Sequence, residues 1–301
     1  MHIPVLLNEV IEAFSNLRSK KDLSYFDGTF GRGGHYSALK KAYSISRAYA
    51  TDQDLQAIAY AQQNFPEVKI VHQNFYQFAQ VNNVQFDMAL IDLGVSSPQL
   101  DQSERGFSFL REGPLDMRMN QSQESTAADL VNTCTESELL RIFKDYGEVD
   151  KPERVIRAII SDRANKPFAT TTQLAGLIER VDGWRKKGFH PATQYFMGLR
   201  LVLNQELEVT EKAIPLFMQQ LADHGRLAVI TFHSLEDRIV KNLFKESELG
   251  FPVSKKVIVP SDEECKNNPR ARSAKLRIFQ RGLPEEKPDK FALRRAQLEK
   301  K

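Results

Sequence analysis

The feature that most constrains this 301-residue chain is a strand that runs straight into a glycine-rich turn. Leu23-Ser24-Tyr25-Phe26-Asp27 is short and apolar, and Gly28-Thr29-Phe30-Gly31-Arg32-Gly33-Gly34 follows without a spacer. Glycines permit positive φ and let a backbone approach a ligand closely. In doubly wound sheets such turns sit at the carboxyl ends of strands, where ligands bind. The residues behind the turn keep a rhythm. A helix starts within 37–42, a second strand covers 47–52, and 55–64 carries Leu55, Ile58, Ala59 and Gln62 at helical spacing. A third strand covers 69–72, a weakly marked helical region follows Phe75, and 86–92 is apolar enough to be buried on both faces. Strands alternating with helices predict a parallel α/β sheet with right-handed crossovers.

The rhythm then breaks. No strand pattern occurs from about residue 122 to 204, where helices are predicted over 126–134, 136–146, 151–165 and 171–181. Thr135 before Glu138, Asp150 ahead of Pro152, and Thr170 or Thr171 supply starts. A long helix is expected from Thr193 to about Ala222, kinked or broken at Pro215. Residues 225–232 then form an evident strand, and 276–279 a last one. The organisation expected is an α/β domain of residues 1–101 and 204–301, interrupted by a helical insert over 102–203.

Two carboxylates stand at strand ends. Asp52 closes the second strand, where it can accept bonds from ribose hydroxyls; Asp54 is the competing residue, readable as a helix cap. Phe75 is read either as a partner for an adenine ring or as core. The arrangement fits a nicotinamide dinucleotide or S-adenosylmethionine, although the spacing is not the dinucleotide fingerprint G-x-G-x-x-G. Asp92 closes the fourth strand, beside the first in a doubly wound order, and a carboxylate there is costly unless it has a task. It is the foremost catalytic candidate, because the end of that strand faces the reactive part of a cofactor bound in the crevice.

Bulk properties narrow the classes. Charged residues make up 27% and hydrophobic ones 41%, as in ordinary globular proteins, and no apolar run approaches a membrane span. The N-terminus has no basic region ahead of its short apolar run, so no signal peptide is expected, and the two cysteines, Cys134 and Cys265, fit a reducing cytoplasm. No metal site is expected. Residues 251–301 hold 14 Lys/Arg against 7 Asp/Glu, while the rest of the chain carries a balance of −4. That asymmetry points either to a polyanionic partner or to a solvated tail, and the stretch after Gly282 is expected to be disordered.

Long motifs in fixed order now make a family visible. They include His2-Ile3-Pro4-Val5-Leu6-Leu7, the run from Asp27 to His35, Asp92-Leu93-Gly94-Val95-Ser96-Ser97-Pro98-Gln99-Leu100-Asp101 and Glu104-Arg105-Gly106-Phe107-Ser108-Phe109. Gly113-Pro114-Leu115-Asp116-Met117-Arg118-Met119, Tyr146-Gly147-Glu148, His190-Pro191-Ala192-Thr193, the run from Phe232 to Lys241 and Asn268-Pro269-Arg270-Ala271-Arg272-Ser273 complete the set. In these the chain resembles the RsmH (MraW) family of bacterial 16S rRNA cytosine-N4 methyltransferases. The resemblance implies a Rossmann-like class I methyltransferase fold, with a seven-stranded, mostly parallel sheet and an inserted all-helical domain. It implies S-adenosyl-L-methionine as cofactor, held by Gly33, Gly34, His35, Asp52, Phe75, Asp92 and Gln99. It implies a decoding-centre cytosine of 16S rRNA in the small (30S) subunit as substrate. The chain departs from the family pattern at Gln194, Phe196 and Met197, and at Val149-Asp150-Lys151 after Gly147-Glu148.

Other motifs admit two readings each. His233 either serves the target base or is structural, and Ser234 with Asp237 forms a variant capping box. Arg105, Asp116 and Arg118 form either a loop over the base, with the two arginines on RNA, or a salt-bridged hinge. Arg270 and Arg272, with Lys275 and Arg277, suit phosphate contacts or a solvated loop. The insert's Arg154, Arg157, Arg163, Lys166, Arg185, Lys186 and Lys187 are read as an RNA cradle or a charged helix surface. Two rivals from other classes are a nicotinamide-dependent dehydrogenase and a non-catalytic ribosome-assembly factor with a vestigial cofactor cleft.

Overall fold

The computed structural model describes residues 4–184 and 190–283. His2, Ile3, Arg185, Lys186, Lys187 and the tail from residue 284 onward lie outside the described residues. Seven strands, β1 (Leu23–Asp27), β2 (Ile45–Asp52), β3 (Val68–His72), β4 (Phe86–Asp92), β5 (Leu221–Thr231), β6 (Gly250–Pro252) and β7 (Lys275–Arg281), form one sheet in the order β3-β2-β1-β4-β5-β7-β6. The first five run parallel; β7 is antiparallel to both β5 and β6. This is the seven-stranded, mostly parallel sheet that the resemblance implied. The order reverses between β1 and β4, so their carboxyl ends flank the crevice where such sheets take ligands. The three-residue β6 left no alternating pattern to read, and its proline fits an edge position.

The period-2 alternation of the strands divides two cores. Tyr25, Ala50, Met88, Leu90, Ala228 and Ile230 belong to the core that includes α1 (Leu7–Ala13) and α2 (Gly34–Ala42). Phe26, Ala89, Ile91, Leu227 and Val229 belong to the other. After β2 comes α3 (Leu55–Asn64), which starts on Asp54 as N-cap; after β3 comes α4 (Phe75–Val81), opened by an Asn74–Gln77 capping box. The short α5 (Ser97–Asp101) follows β4 on a Ser96–Gln99 box.

The middle of the chain has a core of its own. Helices α6 (Ala127–Thr133), α7 (Glu136–Arg141), α8 (Glu153–Asn165), α9 (Thr171–Asp182) and α10 (Ala192–Leu203) bury Val131, Leu139, Val155, Leu174, Tyr195 and Leu199 together. A π-helical turn, Ile142–Tyr146, continues α7 and closes with the Gly147 N–H donating to the Ile142 carbonyl at 3.0 Å. There α10 crosses closely: a Cβ on Gly198 would lie 2.5 Å from the Ile142 carbonyl oxygen.

The long helix expected from Thr193 is two helices, α10 and α11 (Glu206–Gln220), and the break falls at Asn204 and Gln205 rather than at Pro215. Gln205 is left-handed at φ 52°, which ends an α-helix. The Asn204 amide accepts from Met119 N–H at 2.8 Å and donates to the Met117 carbonyl at 2.9 Å, anchoring the break. Pro215 is accommodated inside α11. Helices α12 (Ser234–Glu246) and α13 (Asp262–Asn267) complete the chain up to β7. No helix among the described residues is long and apolar enough to cross a membrane.

Candidate active site

The glycine turn is stitched to the strands on both sides. Gly28 N–H donates to the Leu90 carbonyl, Thr51 Oγ1 donates to the Gly28 carbonyl, and Gly31 N–H donates to Asp52 Oδ2, each at 2.8 Å. Gly33, at φ 68°, begins α2, and a Cβ there would lie 2.6 Å from the Phe65 ring. A Cβ on Gly34 would lie 2.5 Å from Pro4. These two glycines are demanded by packing. Gly31 differs: it is left-handed at φ 54°, yet a Cβ on it would meet nothing within 4 Å, so it borders open space.

Three carboxylates end the adjacent strands β2, β1 and β4. Asp27 accepts from the Tyr25 hydroxyl at 2.7 Å and from Thr29 N–H, and burial pushes its carboxyl up to about 6. Asp52 accepts from two backbone N–H groups, those of Gly31 and Asp54, and burial likewise pushes it up to about 6. Asp92 is held by its backbone, whose N–H donates to Thr29 Oγ1 at 2.8 Å. Its Oδ2 stands 3.9 Å from His35 Nδ1, and its Oδ1 is buried with no hydrogen-bond partner among the described residues. Burial, then the charges of Asp27 and Glu236, push Asp92 up to about 8. A buried orphan acceptor facing no protein donor calls for a ligand or water to satisfy it.

His35, the second residue of α2, is buried, with Nε2 3.0 Å from the Val5 carbonyl oxygen. Phe75 is buried in the second core, close enough to Gly28 that a Cβ there would lie 3.2 Å from its own Cβ; of its two readings the structure favours core.

Asp54 and Gln99 serve to build the site. Asp54 caps α3 by accepting from Gln56 N–H at 2.9 Å, and its second oxygen accepts from Gln99 Nε2 at 3.1 Å and pairs with Arg105. Gln99 uses its other end to accept from Ser96 N–H. Arg105 is 2% exposed and also donates to the carbonyls of Arg118 and Met119, so the expectation that it touches RNA is corrected: it has no surface to offer. Arg118 keeps part of its surface, with its side chain 20% exposed. It grips Asp116 in a bidentate pair at 2.9 and 2.8 Å and donates to the Gln121 and Gln123 carbonyls, contacts that suit the salt-bridged reading of this segment.

His233 makes its contacts at the start of α12. It caps α12, Nδ1 accepting from Glu236 N–H, and its Nε2 lies 2.9 Å from Glu236 Oε1. The cap is therefore His233 with Glu236 at the third position, and not Ser234 with Asp237. Glu236 is fully buried, accepts from Phe232 N–H at 2.9 Å, and belongs to a buried charge cluster with His233 and the Arg200–Glu206 pair. Burial pushes Glu236 up, but His233 and Arg200 outweigh it and hold the carboxyl below its usual range. Asp237 instead takes Arg277 in a bidentate pair and Lys275 at 3.4 Å. Of the basic stretch, Arg270 pairs with Asp101 at 2.5 Å and Arg272 is exposed. In the helical segment, Arg163 donates inward to the Val131 carbonyl, while Arg154, Arg157 and Lys166 are exposed.

Sequence reasoning overlooked Asp27, Thr29 and Glu236. The signal for Thr29 and Asp27 was present, since both lie in the turn itself. For Glu236 it was the spacing of three from His233, which an unusual histidine cap concealed.

The family model described as the MraW methylase family matches residues 1–282. A protein of Bdellovibrio bacteriovorus called ribosomal RNA small subunit methyltransferase H is 63% identical over 292 residues, covering 95% of this chain and 89% of its own. A protein of the same name from Methylobacillus flagellatus is 44% identical, covering 93% of this chain and 94% of its own. The crystal structure of an rRNA methylase from Streptococcus thermophilus aligns with 93% of this chain and 99% of its own at a TM-score of 0.45 and 11% identity, a likeness too low to add to the fold seen directly.

Proposed function

The chain belongs to the MraW methylase family, and from that membership we propose that it methylates the exocyclic N4 amine of one cytosine in the decoding centre of 16S rRNA, within the small ribosomal subunit of the cytoplasm. S-adenosyl-L-methionine supplies the methyl group from a sulfonium centre and leaves as the thioether. Three features of this chain suit that cofactor. Gly31 borders open space beside the strand ends, Asp52 is a partly exposed carboxylate at the end of β2 suited to ribose hydroxyls, and Asp92 Oδ1 awaits a donor.

The observation that carries the reading is the orphan Asp92 Oδ1. A cytosine amine has its lone pair drawn into the ring, so the enzyme must hold it in line and accept its N–H groups. Asp92 does this from the mouth of the crevice, and its carboxylate is the group that relieves the amine of a proton as the N–C bond forms. A carboxyl at about 8 is a strong acceptor when ionised, and a cationic cofactor in the cleft favours that ionised form. Asp52 and the turn bind cofactor, with Gly33 and Gly34 shaping α2, His35 beside Asp92, and Gln99 positioning Asp54. Phe75 supports the turn from below. His233 is a positioning residue, acting through Glu236 on the β5–α12 turn. The helical segment over 102–203, with Arg270 and Arg272, faces the RNA, whose target base must be unstacked to reach the crevice.

The test is transfer of labelled methyl from S-adenosylmethionine to small subunits lacking this modification, with mass mapping of the nucleoside. N4-methylcytidine at a single decoding-centre position is the expected result. Cofactor binding without transfer would overturn the substrate, and absence of cofactor binding would restore the assembly-factor alternative.

A further inference from the structure

We propose that a cavity beside the sheet edge is a second RNA subsite, which takes an unpaired nucleotide close to the methylated cytosine. The proposal rests on the methyl-transfer reading for its substrate. The cavity has a volume of about 340 Å³ and lies between α12 and the arch of residues 254–257 that leaves the sheet after β6. Its size is at the low end of pockets that hold small organic ligands. The arch exists because β7 changes partners: Val253 N–H donates to the Ile278 carbonyl, and Ile258 then exchanges two backbone bonds with Leu276, at 3.1 and 2.8 Å.

The walls combine two chemistries. Phe244, Pro252, Ile258 and Leu276 give an apolar floor. Lys241 and Lys245, four residues apart on α12, and Lys255 and Lys256, in the arch, form an exposed cationic rim. None of these four lysines makes an ion pair among the described residues; the nearby carboxylate of Asp237 is already held by Arg277 and Lys275. An apolar hollow ringed by unpaired ammonium groups matches a splayed nucleotide, base inward and phosphates at the rim.

Its place in the sheet links it to the crevice. Asp92 is in register with Ile230, and Ile230 with Leu276. The Leu276 wall therefore stands two strands from Asp92 in the same row, about 10 Å along the sheet. A strand of RNA with one base in the crevice passes within reach of the rim.

Two variants of the full chain separate the cavity from a general basic surface. The first replaces all four rim lysines (Lys241→Ala, Lys245→Ala, Lys255→Ala, Lys256→Ala). The second, Ser254→Trp, places an indole at the exposed cavity lip and keeps every lysine. Affinity for a fluorescent single-stranded oligoribonucleotide is measured as a function of salt, and KM and kcat for unmodified small subunits are measured beside it. The lysine variant should lower the slope of log K against log salt by about 3 and raise KM for subunits about 10-fold or more, with kcat and cofactor affinity unchanged. Ser254→Trp should raise KM similarly without changing the salt slope. If the lysine variant alone weakens binding, the rim is a diffuse field and the subsite is overturned, as it is if neither variant has an effect. If wild-type enzyme transfers no methyl yet both variants weaken oligoribonucleotide binding as described, the substrate reading fails and the subsite stands.

Discussion

Arg105 and Asp54 form an ion pair closed to solvent on both sides, with side chains 2% and 8% exposed. The pair ties the cap of α3 to the segment that leads into the helical part of the chain. Two backbone carbonyls and Gln99 add hydrogen bonds to the pair, while Arg105 Nε is buried with no partner among the described residues. Removing one partner strands the other charge in the interior, a loss of about 3–5 kcal/mol. Arg105→Ala is expected to destabilise by that amount in urea denaturation, and the Arg105→Ala/Asp54→Ala double variant to lose less than the sum of the singles. Losses that simply add would show that the two side chains are energetically independent.

Asp52 and Asp92 should divide the kinetics between them. Asp52→Asn retains shape but weakens charge-assisted acceptance from ribose hydroxyls, a loss of about 1.5–3 kcal/mol. It should raise the Kd for S-adenosylmethionine about 10- to 100-fold while kcat at saturating cofactor stays near wild type. Asp92→Asn removes the acceptor for the amine and should lower kcat about 10²- to 10⁴-fold. Calorimetric Kd values and single-turnover rates measured side by side check the split; full activity in Asp92→Asn would remove it from the chemistry.

The strands that build the crevice were legible because they are buried on both faces and carry continuous apolar runs: β1 and β4 fall at Leu23–Asp27 and Phe86–Asp92 as expected. The three strand-end aspartates sit where a strand pattern meets a turn, so their positions could be read, though not their states. The break between α10 and α11 was not legible, since it depends on Asn204 reaching Met117 and Met119 far away in sequence. Pro215, a strong local signal, was outvoted because the surrounding helix is packed in the second core through Ala213, Ile214 and Phe217. Arg105 was misread for a related reason. Sequence shows a charge but not whether a carboxylate lies within reach, and Arg105 has one.

Gly31 and Gly33 provide a contrast within one turn. Both are left-handed, so alanine at either costs about 1–2 kcal/mol of backbone strain. At Gly33 the new Cβ also meets the Phe65 ring at 2.6 Å, so Gly33→Ala should lower thermal stability well beyond Gly31→Ala. At Gly31 the Cβ meets no protein atom but enters the open space assigned to cofactor. Gly31→Ala should therefore keep most of its stability and lose cofactor affinity by about 10-fold or more, within the range a displaced contact commands. Unimpaired binding in Gly31→Ala would move the cofactor away from this face of the turn.

The raised carboxyls make a signed prediction about pH. Asp27 and Asp52 titrate at about 6 and Asp92 at about 8 in the fold, all above the ordinary 3.8. A raised carboxyl means that the folded state holds its proton more tightly than the unfolded chain. Its neutral form fits the interior fully at low pH, and stability is lost as pH climbs from about 4 through the folded value. In the absence of cofactor, Tm should therefore fall between pH 5.5 and 8.5, against the usual acid-labile trend. Asp92→Asn keeps the side chain neutral at every pH, so it should raise Tm at pH 8.5 by about 2 °C or more, a gain of about 1 kcal/mol, and flatten the profile above pH 7. Saturating S-adenosylmethionine should shrink the difference between wild type and variant, because a cation in the cleft favours the ionised Asp92. A Tm that rises steadily to pH 8.5 in the free enzyme would mean that water already reaches Asp92 Oδ1 and relieves its burial.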